Sequence, residues 1–230
     1  MTLRKYLYIL TVVVLIGCYS ADDYLKEGHN VGLTGDYKRA IQLFDKAIRE
    51  NPKLKEAYIQ RGLCYEYRNQ IDSAIKNYNA LLSFDPNNTT AFYYIGLCKY
   101  KQNQFNEAIE YFNKALQTKG DSNPSDTSSK TIFVEIDKDG ILGDLEPFDV
   151  PSHEIFYQRG LAYYSTQQIN RAYFDFQNCI QQRYFVGESY YMVGLCWLTV
   201  NKKDKACEAF NESSFNGDSL ATKKLNELCK

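Results

Sequence analysis

The side chains best suited to hold a metal ion are four neighbouring carboxylates, Asp137, Asp139, Asp144 and Glu146. A calcium-binding loop needs acidic or amide side chains at its positions one, three and five, and a glycine at position six where the backbone turns sharply. Here glycine comes fourth, as Gly140, and an isoleucine stands fifth. The spacing therefore favours a turn between two short strands over a calcium site. No metal ion or other cofactor is expected.

Residues for acid–base or nucleophilic catalysis are also scarce. The only two histidines, His29 and His153, lie far apart in the chain. There is no glycine-rich loop to cradle a phosphate and no Gly-x-Ser-x-Gly pattern. A net charge of −1 gives no basic face for nucleic acid. We therefore expect a protein that is not an enzyme and does not bind nucleic acid.

Most of the chain follows a repeat of 34 residues. Each unit is marked by a glycine and by an alanine twelve residues later. The pairs are Gly28 and Ala40, Gly62 and Ala74, Gly96 and Ala108, Gly160 and Ala172, and Gly194 and Ala206. Between Gly96 and Gly160 the spacing is 64, so 30 extra residues interrupt the repeat there. A fixed period of this length indicates stacked helical repeats, because one unit alone cannot bury its apolar face.

Each unit is predicted to form two antiparallel helices, A and B. In helix A of the second unit, Tyr58, Arg61, Gly62 and Tyr65 share one helical face. Glycine inside a helix costs about 1 kcal/mol relative to alanine. Its recurrence therefore predicts that a neighbouring backbone comes close at that position. The small alanine lets helix B lie against helix A.

These residues resemble the tetratricopeptide-repeat family, whose pattern is aromatic, glycine, aromatic, alanine, aromatic and proline. The second unit carries all six, as Tyr58, Gly62, Tyr65, Ala74, Tyr78 and Pro86. Units three to five lack the proline, and no unit has the family's leucine before the glycine. The resemblance implies an all-α, right-handed α-solenoid of about five helix hairpins with a C-terminal capping helix.

The repeat also sets the domain boundaries. We expect a signal peptide at 1–17, repeats one to three at 18–120, an acidic insertion at 121–151, repeats four and five at 152–217, and the capping helix at 218–230. The insertion has eight acidic residues and two lysines. Its apolar run Thr131–Ile136, followed by the turn residues Asp137–Gly140, predicts a loop with a small β-hairpin. Insertions in solenoids are usually loops on one face, often the binding face.

The first 18 residues resemble a bacterial lipoprotein signal with its lipobox. Arg4 and Lys5 precede an apolar run, 6–16, that is too short to span a bilayer. A small residue then stands before Cys18. The resemblance implies that Cys18 carries the lipid, palmitate included, and that the protein is anchored in the outer membrane, on its periplasmic or cell-surface side. An ordinary cleaved signal followed by a chance cysteine is the alternative.

The remaining cysteines fall into two groups. Cys64, Cys98 and Cys196 share one repeat position and are interpreted as small buried residues. Cys207 lies on the last helix B, and Cys229 on the capping helix that should pack against it. An exported protein reaches an oxidising compartment, where disulfides persist. We therefore predict a disulfide between Cys207 and Cys229.

The resemblance places a ligand groove along the A helices. The predicted lining is rich in tyrosine, which suits a peptide, a partner helix or a sugar. The candidate groove residues are Tyr67, Tyr93, Tyr100, Tyr157, Tyr164 and Tyr191. The alternative is that many of these side chains belong to the core between repeats.

Three functions remain open on the sequence alone. The first is an envelope-anchored interaction module that binds a partner protein or peptide on its concave face. The second is a structural subunit of an outer-membrane assembly or secretion machine. The third is a carbohydrate-binding accessory lipoprotein, which only the tyrosines suggest. The first is the leading hypothesis because it follows from the repeat and the lipobox together.

Overall fold

The computed structural model describes residues 19–120 and 149–229. Every regular element in these two stretches is an α-helix, which confirms the predicted all-α class. The helices are α1 (Ala21–Leu33), α2 (Tyr37–Glu50), α3 (Lys55–Tyr67), α4 (Ile71–Leu82), α5 (Thr89–Lys101), α6 (Phe105–Thr118), α7 (Ser152–Ser165), α8 (Ile169–Gln181), α9 (Val186–Thr199), α10 (Lys203–Phe215) and α11 (Ser219–Leu228). The predicted signal peptide, Cys18 and the hairpin of the insertion lie outside the described residues.

The chain divides into two compact units, with the boundary after Asn77, inside α4. In the first unit, α1 and α2 form a hairpin and α3 packs against α2. A capping box starts α1, because Ser20 accepts from the amide of Asp23 while the Asp23 carboxylate accepts from the amide of Ser20. The apolar core of this unit includes Ala40, Phe44 and Cys64.

The second unit holds three hairpins, α5–α6, α7–α8 and α9–α10, and the last helix, α11. The B helix of each hairpin also packs against the helix that follows it, so α6 contacts α7, α8 contacts α9, and α10 contacts α11. Asp218 caps α11 through its side chain. Leu225 and Leu228 of α11 cover Phe210 and Ala206 of α10. A final helix therefore shields the apolar side of the last hairpin from water.

The turns between helices A and B share one backbone feature. One residue in each of these turns has a positive φ, and these residues lie 34 positions apart except across the insertion. They are Gly35 (φ 85°), Asn69 (57°), Asn103 (60°), Gln167 (59°) and Asn201 (57°). Glycine and asparagine tolerate this left-handed region best, so the sequence favours a tight turn at four of the five places, and Gln167 is the exception.

The recurrent glycine has a different role from the predicted one. At Gly96, an added Cβ would lie 2.6 Å from a ring carbon of Phe112, which comes sixteen residues later on the B helix of the same hairpin. The same ring-on-glycine contact occurs at Gly28, Gly160 and Gly194. The expected close backbone approach was therefore wrong. An aromatic ring lies against helix A where a side chain would otherwise stand.

A buried ion pair joins two helices of the second unit. Arg159 on α7 is 1% exposed, and Asp175 on α8 is fully buried. The Arg159 Nε and Nη2 atoms donate to the two Asp175 carboxylate oxygens at 2.8 and 2.7 Å. The Arg159 Nη1 atom donates to Asn113 Oδ1 on α6 at 2.7 Å. One guanidinium thus links three helices from two consecutive hairpins.

The first unit contains a more exposed version of this link. Arg61 occupies the same repeat position as Arg159 and donates to Asn77 Oδ1 at 2.7 Å and to Asp45 Oδ1 at 2.6 Å. The Asn77 amide in turn donates to the carbonyl of Tyr58. The Asp45 side chain is 44% exposed, whereas both members of the pair in the second unit are buried.

Candidate functional site

The three A helices of the second unit present the same face. On each of α5, α7 and α9, three residues at i, i+4 and i+7 line one side of the helix. They are Tyr93, Leu97 and Tyr100 on α5, Tyr157, Leu161 and Tyr164 on α7, and Tyr191, Leu195 and Leu198 on α9. We call this set the tyrosine–leucine face. All nine except Tyr93 are half-buried, so each keeps part of its side chain open to a ligand.

Tyr93 does not line an open surface, contrary to the sequence prediction. Its side chain is 3% exposed and belongs to the core, beside the ring of Phe112 at a centroid distance of 6.0 Å. Its hydroxyl donates to Glu154 Oε1 on α7 at 2.7 Å. Burial and this hydrogen bond raise the pKa of the Tyr93 phenol far above its usual value. Tyr93 therefore joins two A helices and positions Glu154, and it is closed to a partner.

Aromatic neighbours hold Tyr157 in place. Its ring makes edge-on contacts with Phe176, Tyr184 and Phe185 at centroid distances of 5.8, 6.2 and 5.3 Å. Tyr184 is also packed against His153 at 4.4 Å. Burial raises the pKa of Tyr157 to about 12, so the phenol stays protonated and can donate a hydrogen bond at physiological pH. A ring fixed in this way loses little entropy when a ligand covers it.

Tyr100, Tyr164 and Tyr191 complete the aromatic part of the face. Tyr100 is supported by an edge-on contact with Phe105 at 5.1 Å, and Tyr191 lies 5.6 Å from Phe210. All three are half-buried. Four of the six predicted groove tyrosines, including Tyr157, are thus half-buried on this face, whereas Tyr93 is buried.

Tyr67, the sixth candidate, lies in the first unit. It ends α3, is 70% exposed, and stacks on Tyr37 at a centroid distance of 4.9 Å with the rings 8° from parallel. It pairs with a ring that is itself half-buried against the core of the first unit.

Carboxylates lie close to the tyrosine–leucine face. Glu154 and Glu188 occupy the first turns of α7 and α9, where negative charge also suits the helix dipole. Burial is the main cause of the raised pKa of Tyr157 and of Tyr191, and the nearby charges of Glu188 and Asp218 add to it. The face therefore combines apolar rings with a negatively charged border.

The disulfide candidate residues are bonded to each other in the structure. Cys207 on α10 and Cys229, the residue after α11, form a disulfide with a Cα–Cα distance of 5.8 Å. Within the described stretches, the other four cysteines are buried thiols outside any disulfide. Burial raises the pKa of Cys64 to about 11 and of Cys196 to about 12. These thiols fill space in the core.

Sequence reasoning missed two sets of residues. The column of Leu97, Leu161 and Leu195 directly follows the marker glycines and could have been found from the repeat alone. The buried partners of Arg159 carried a weaker signal, because an Asp or Asn sixteen residues away is common by chance. Among the described residues, no group of three His, Cys, Asp or Glu side chains could hold a metal ion. In the same residues, no helix is long and apolar enough to cross a membrane.

Known repeat sequences and structures resemble this architecture. Models of the tetratricopeptide repeat match residues 65–103 and 90–121. No sequence among the curated proteins matches the chain significantly. Solved structures that share the fold include MamA, with a TM-score of 0.63 and 17% identity over 87% of this chain and 96% of that one.

Two further similar structures come from other proteins. YrrB, described as a TPR protein with an unusual peptide-binding site, has a TM-score of 0.66 and 17% identity, over 95% of this chain and 97% of that one. PilF of Pseudomonas aeruginosa has a TM-score of 0.65 and 14% identity, over 86% of this chain and 77% of that one. At these identities the likeness shows the fold alone.

Proposed function

We propose that this chain, which is a tetratricopeptide-repeat protein, binds an extended segment or a helix of a partner protein on its tyrosine–leucine face. The observation that carries the proposal is the arrangement of that face. Eight half-buried tyrosine and leucine side chains recur at equivalent positions on three A helices.

The chemistry of the face suits a peptide. Leucine side chains offer apolar contact, and each tyrosine adds a ring that is apolar over most of its surface and a hydroxyl that can pair with a peptide carbonyl. Rigid aromatic residues of this kind are the usual energetic centres of protein interfaces. The description of YrrB as a TPR protein with a peptide-binding site supports the same use of the fold here.

The protein acts, on this proposal, at the bacterial envelope. The basic, apolar and small-plus-cysteine parts of the first 18 residues stand in the order of a lipoprotein signal. Lipid on Cys18 would hold the repeats at the outer membrane, and the partner with them. The chain would then serve as a non-catalytic module that keeps another protein at a membrane.

Binding at the face is tested with a matched pair of variants. The partner is first captured by cross-linking to the lipidated protein in its own cells and identified by mass spectrometry. Tyr164→Ala should then weaken binding of the purified partner about fivefold or more, as expected for an interface tyrosine. Tyr111→Ala, on the B helix α6, removes the same atoms away from the face and should leave the affinity unchanged.

Two results would reject the face as the binding site. One is equal affinity of Tyr164→Ala and wild type, with circular dichroism showing both folded. The other is loss of partner binding when residues 121–151 are deleted, with unchanged binding when residues of the face are substituted. That result would assign binding to the insertion.

Anchoring is tested separately. In cells fed an alkyne-bearing palmitate, the wild-type protein should carry the label and be found in the membrane fraction. The Cys18→Ser variant should be unlabelled and found in the soluble fraction. Labelling of the variant, or membrane retention without label, would refute lipidation at Cys18.

A further inference from the structure

A second cleft lies in the last hairpin, away from the tyrosine–leucine face. It is open to solvent and has a volume of about 550 Å³ between α8, α9 and α10. Tyr173, Tyr190 and Trp197 supply aromatic walls, and Glu208 and Glu212 supply carboxylates. On α9, the cleft residues and the face residues lie roughly 130° apart around the helix axis, at 100° per residue. A ligand in the cleft would therefore leave the tyrosine–leucine face open.

The aromatic wall of the cleft already holds a positive charge. The Lys205 ammonium lies 4.6 Å from the centre of the Trp197 ring, a distance typical of a cation–π contact. The ring of Tyr173 meets Trp197 edge-on at 5.1 Å and fixes its position. The wall therefore already makes one cation–π contact, with a side chain of its own chain.

The carboxylates of the cleft lack a positive partner. Glu208 and Glu212 are one turn apart on α10, and both are exposed. In the described part of the chain neither forms an ion pair, and Lys205 is engaged by Trp197. Two like charges at i and i+4 repel each other and weaken the helix slightly. The two carboxylates outweigh the charge of Lys205, so the cleft carries one excess negative charge. A cation bound between Glu208 and Glu212 would neutralise that charge and relieve their repulsion.

An exposed apolar residue stands beside these carboxylates. Phe215, at the end of α10, is 89% exposed. With Asn211, Glu212 and Ser214 it lines an adjoining hollow of about 360 Å³. A ligand that neutralises Glu212 would therefore find an aromatic ring next to the charge.

We propose that this cleft is a second binding site, which takes an arginine or lysine side chain of a partner protein together with a neighbouring apolar residue. The guanidinium or ammonium pairs with Glu208 and Glu212, and its alkyl stem lies along Tyr190 and Trp197, as long basic side chains do at apolar surfaces. The apolar neighbour covers Phe215. Guanidinium is the better guest, because its fork of donors matches two carboxylates.

The chain supplies its own probe for this site. Trp197 is the only tryptophan, so fluorescence excited at the red edge of the tyrosine band reports on the cleft alone. The purified protein is titrated with the capped tripeptide Phe-Arg-Phe and with Phe-citrulline-Phe, which has the same shape and no charge. The arginine peptide should shift the emission saturably and bind about fivefold or more tightly than the citrulline peptide, the scale of an exposed ion pair.

Variants test the assignment of the charges. Replacing Glu208→Gln and Glu212→Gln together should weaken binding of the arginine peptide about fivefold. Lys205→Gln should strengthen it, because a competing positive charge is removed. Glu110→Gln is the matched control, since Glu110 holds the repeat position of Glu208 on α6, and its affinity should equal wild type.

Four outcomes would overturn the proposal. The first is equal affinity for the arginine and citrulline peptides, and the second is an unchanged affinity for the arginine peptide in the double glutamine variant. The third is a saturable fluorescence response to a neutral oligosaccharide but not to the arginine peptide. The fourth is a change of emission on dilution without any peptide, which would assign the cleft to a second copy of the chain.

Discussion

The buried pair of Arg159 and Asp175 allows the sharpest test of how the hairpins are held together. Both side chains are removed from water, and their two hydrogen bonds are 2.7 and 2.8 Å long. Unit charges about 4 Å apart attract each other by ~4 kcal/mol at an effective dielectric constant of 20. Asp175→Asn keeps the shape but removes the charge, and leaves a buried guanidinium without its counter-ion. We expect it to lower the free energy of unfolding by about 3–5 kcal/mol.

The double variant Arg159→Met with Asp175→Leu should behave differently. It removes both charges and fills the space with apolar atoms, so no charge is left buried alone. Its free energy of unfolding should lie within about 1 kcal/mol of wild type. Asn113 loses a donor, but its half-buried side chain can turn to water. Urea denaturation followed by circular dichroism gives both values, with the slope checked because repeat proteins can unfold in steps.

The first unit provides the control. Asp45→Asn removes the carboxylate that pairs with Arg61, but Asp45 is 44% exposed, so the loss should stay below about 1 kcal/mol. A loss at Asp175 as small as that at Asp45 would refute the claim that burial sets the strength of the link. A double variant less stable than either single variant at Arg159 or Asp175 would refute it as well.

Three further predictions concern single positions. Reduction of the Cys207–Cys229 disulfide, which closes a sequence separation of 22, should lower the free energy of unfolding by about 3 kcal/mol, seen as a lower urea midpoint with a reductant present. Burial lowers the pKa of His153 below its usual 6.5, so the free energy of unfolding should be constant above pH 6.5 and fall as the pH drops from 6.5 towards the lowered pKa. The fall should be smaller in His153→Gln, and urea midpoints measured at each pH would show it. Gly96→Ala should lower the free energy of unfolding by about 1–3 kcal/mol, because the new methyl group meets a ring at 2.6 Å. Gly32→Ala, whose methyl group would lie 3.8 Å from its nearest neighbour, should leave the melting temperature unchanged or raise it.

The repeat in the sequence was enough to predict the helices, because two markers with the same spacing fix both the period and the phase. It did not reveal what each marker contacts. Gly96 and Phe112 are both visible in the sequence, but spacing alone does not say that a ring, and not a backbone, lies on the glycine. That contact depends on the rotamer of the phenylalanine and the distance between two helices.

The candidate site was predicted in part, for a related reason. Tyr93 and Tyr157 hold the same repeat position, so the sequence predicts the same environment for both. The structure buries Tyr93 and leaves Tyr157 half open. The difference arises from what stands next to each ring: Tyr93 reaches Glu154 on the following hairpin, whereas Tyr157 is bordered by Tyr184 and Phe185. Exposure is set by such neighbours, which differ between otherwise equivalent repeats.

The covalent link between α10 and the end of α11 has a consequence for where the structure opens first. In a stacked repeat each hairpin is supported only by its neighbours, so the terminal elements fray before the middle does. A helix of only ten residues such as α11, at one end of the stack, would ordinarily be the first to open. Because Cys229 is tied to Cys207, α11 can open only to a limited extent while the bond is intact. A protease, or a force that pulls on a bound partner, would then meet a closed C-terminal end as long as the surroundings stay oxidising.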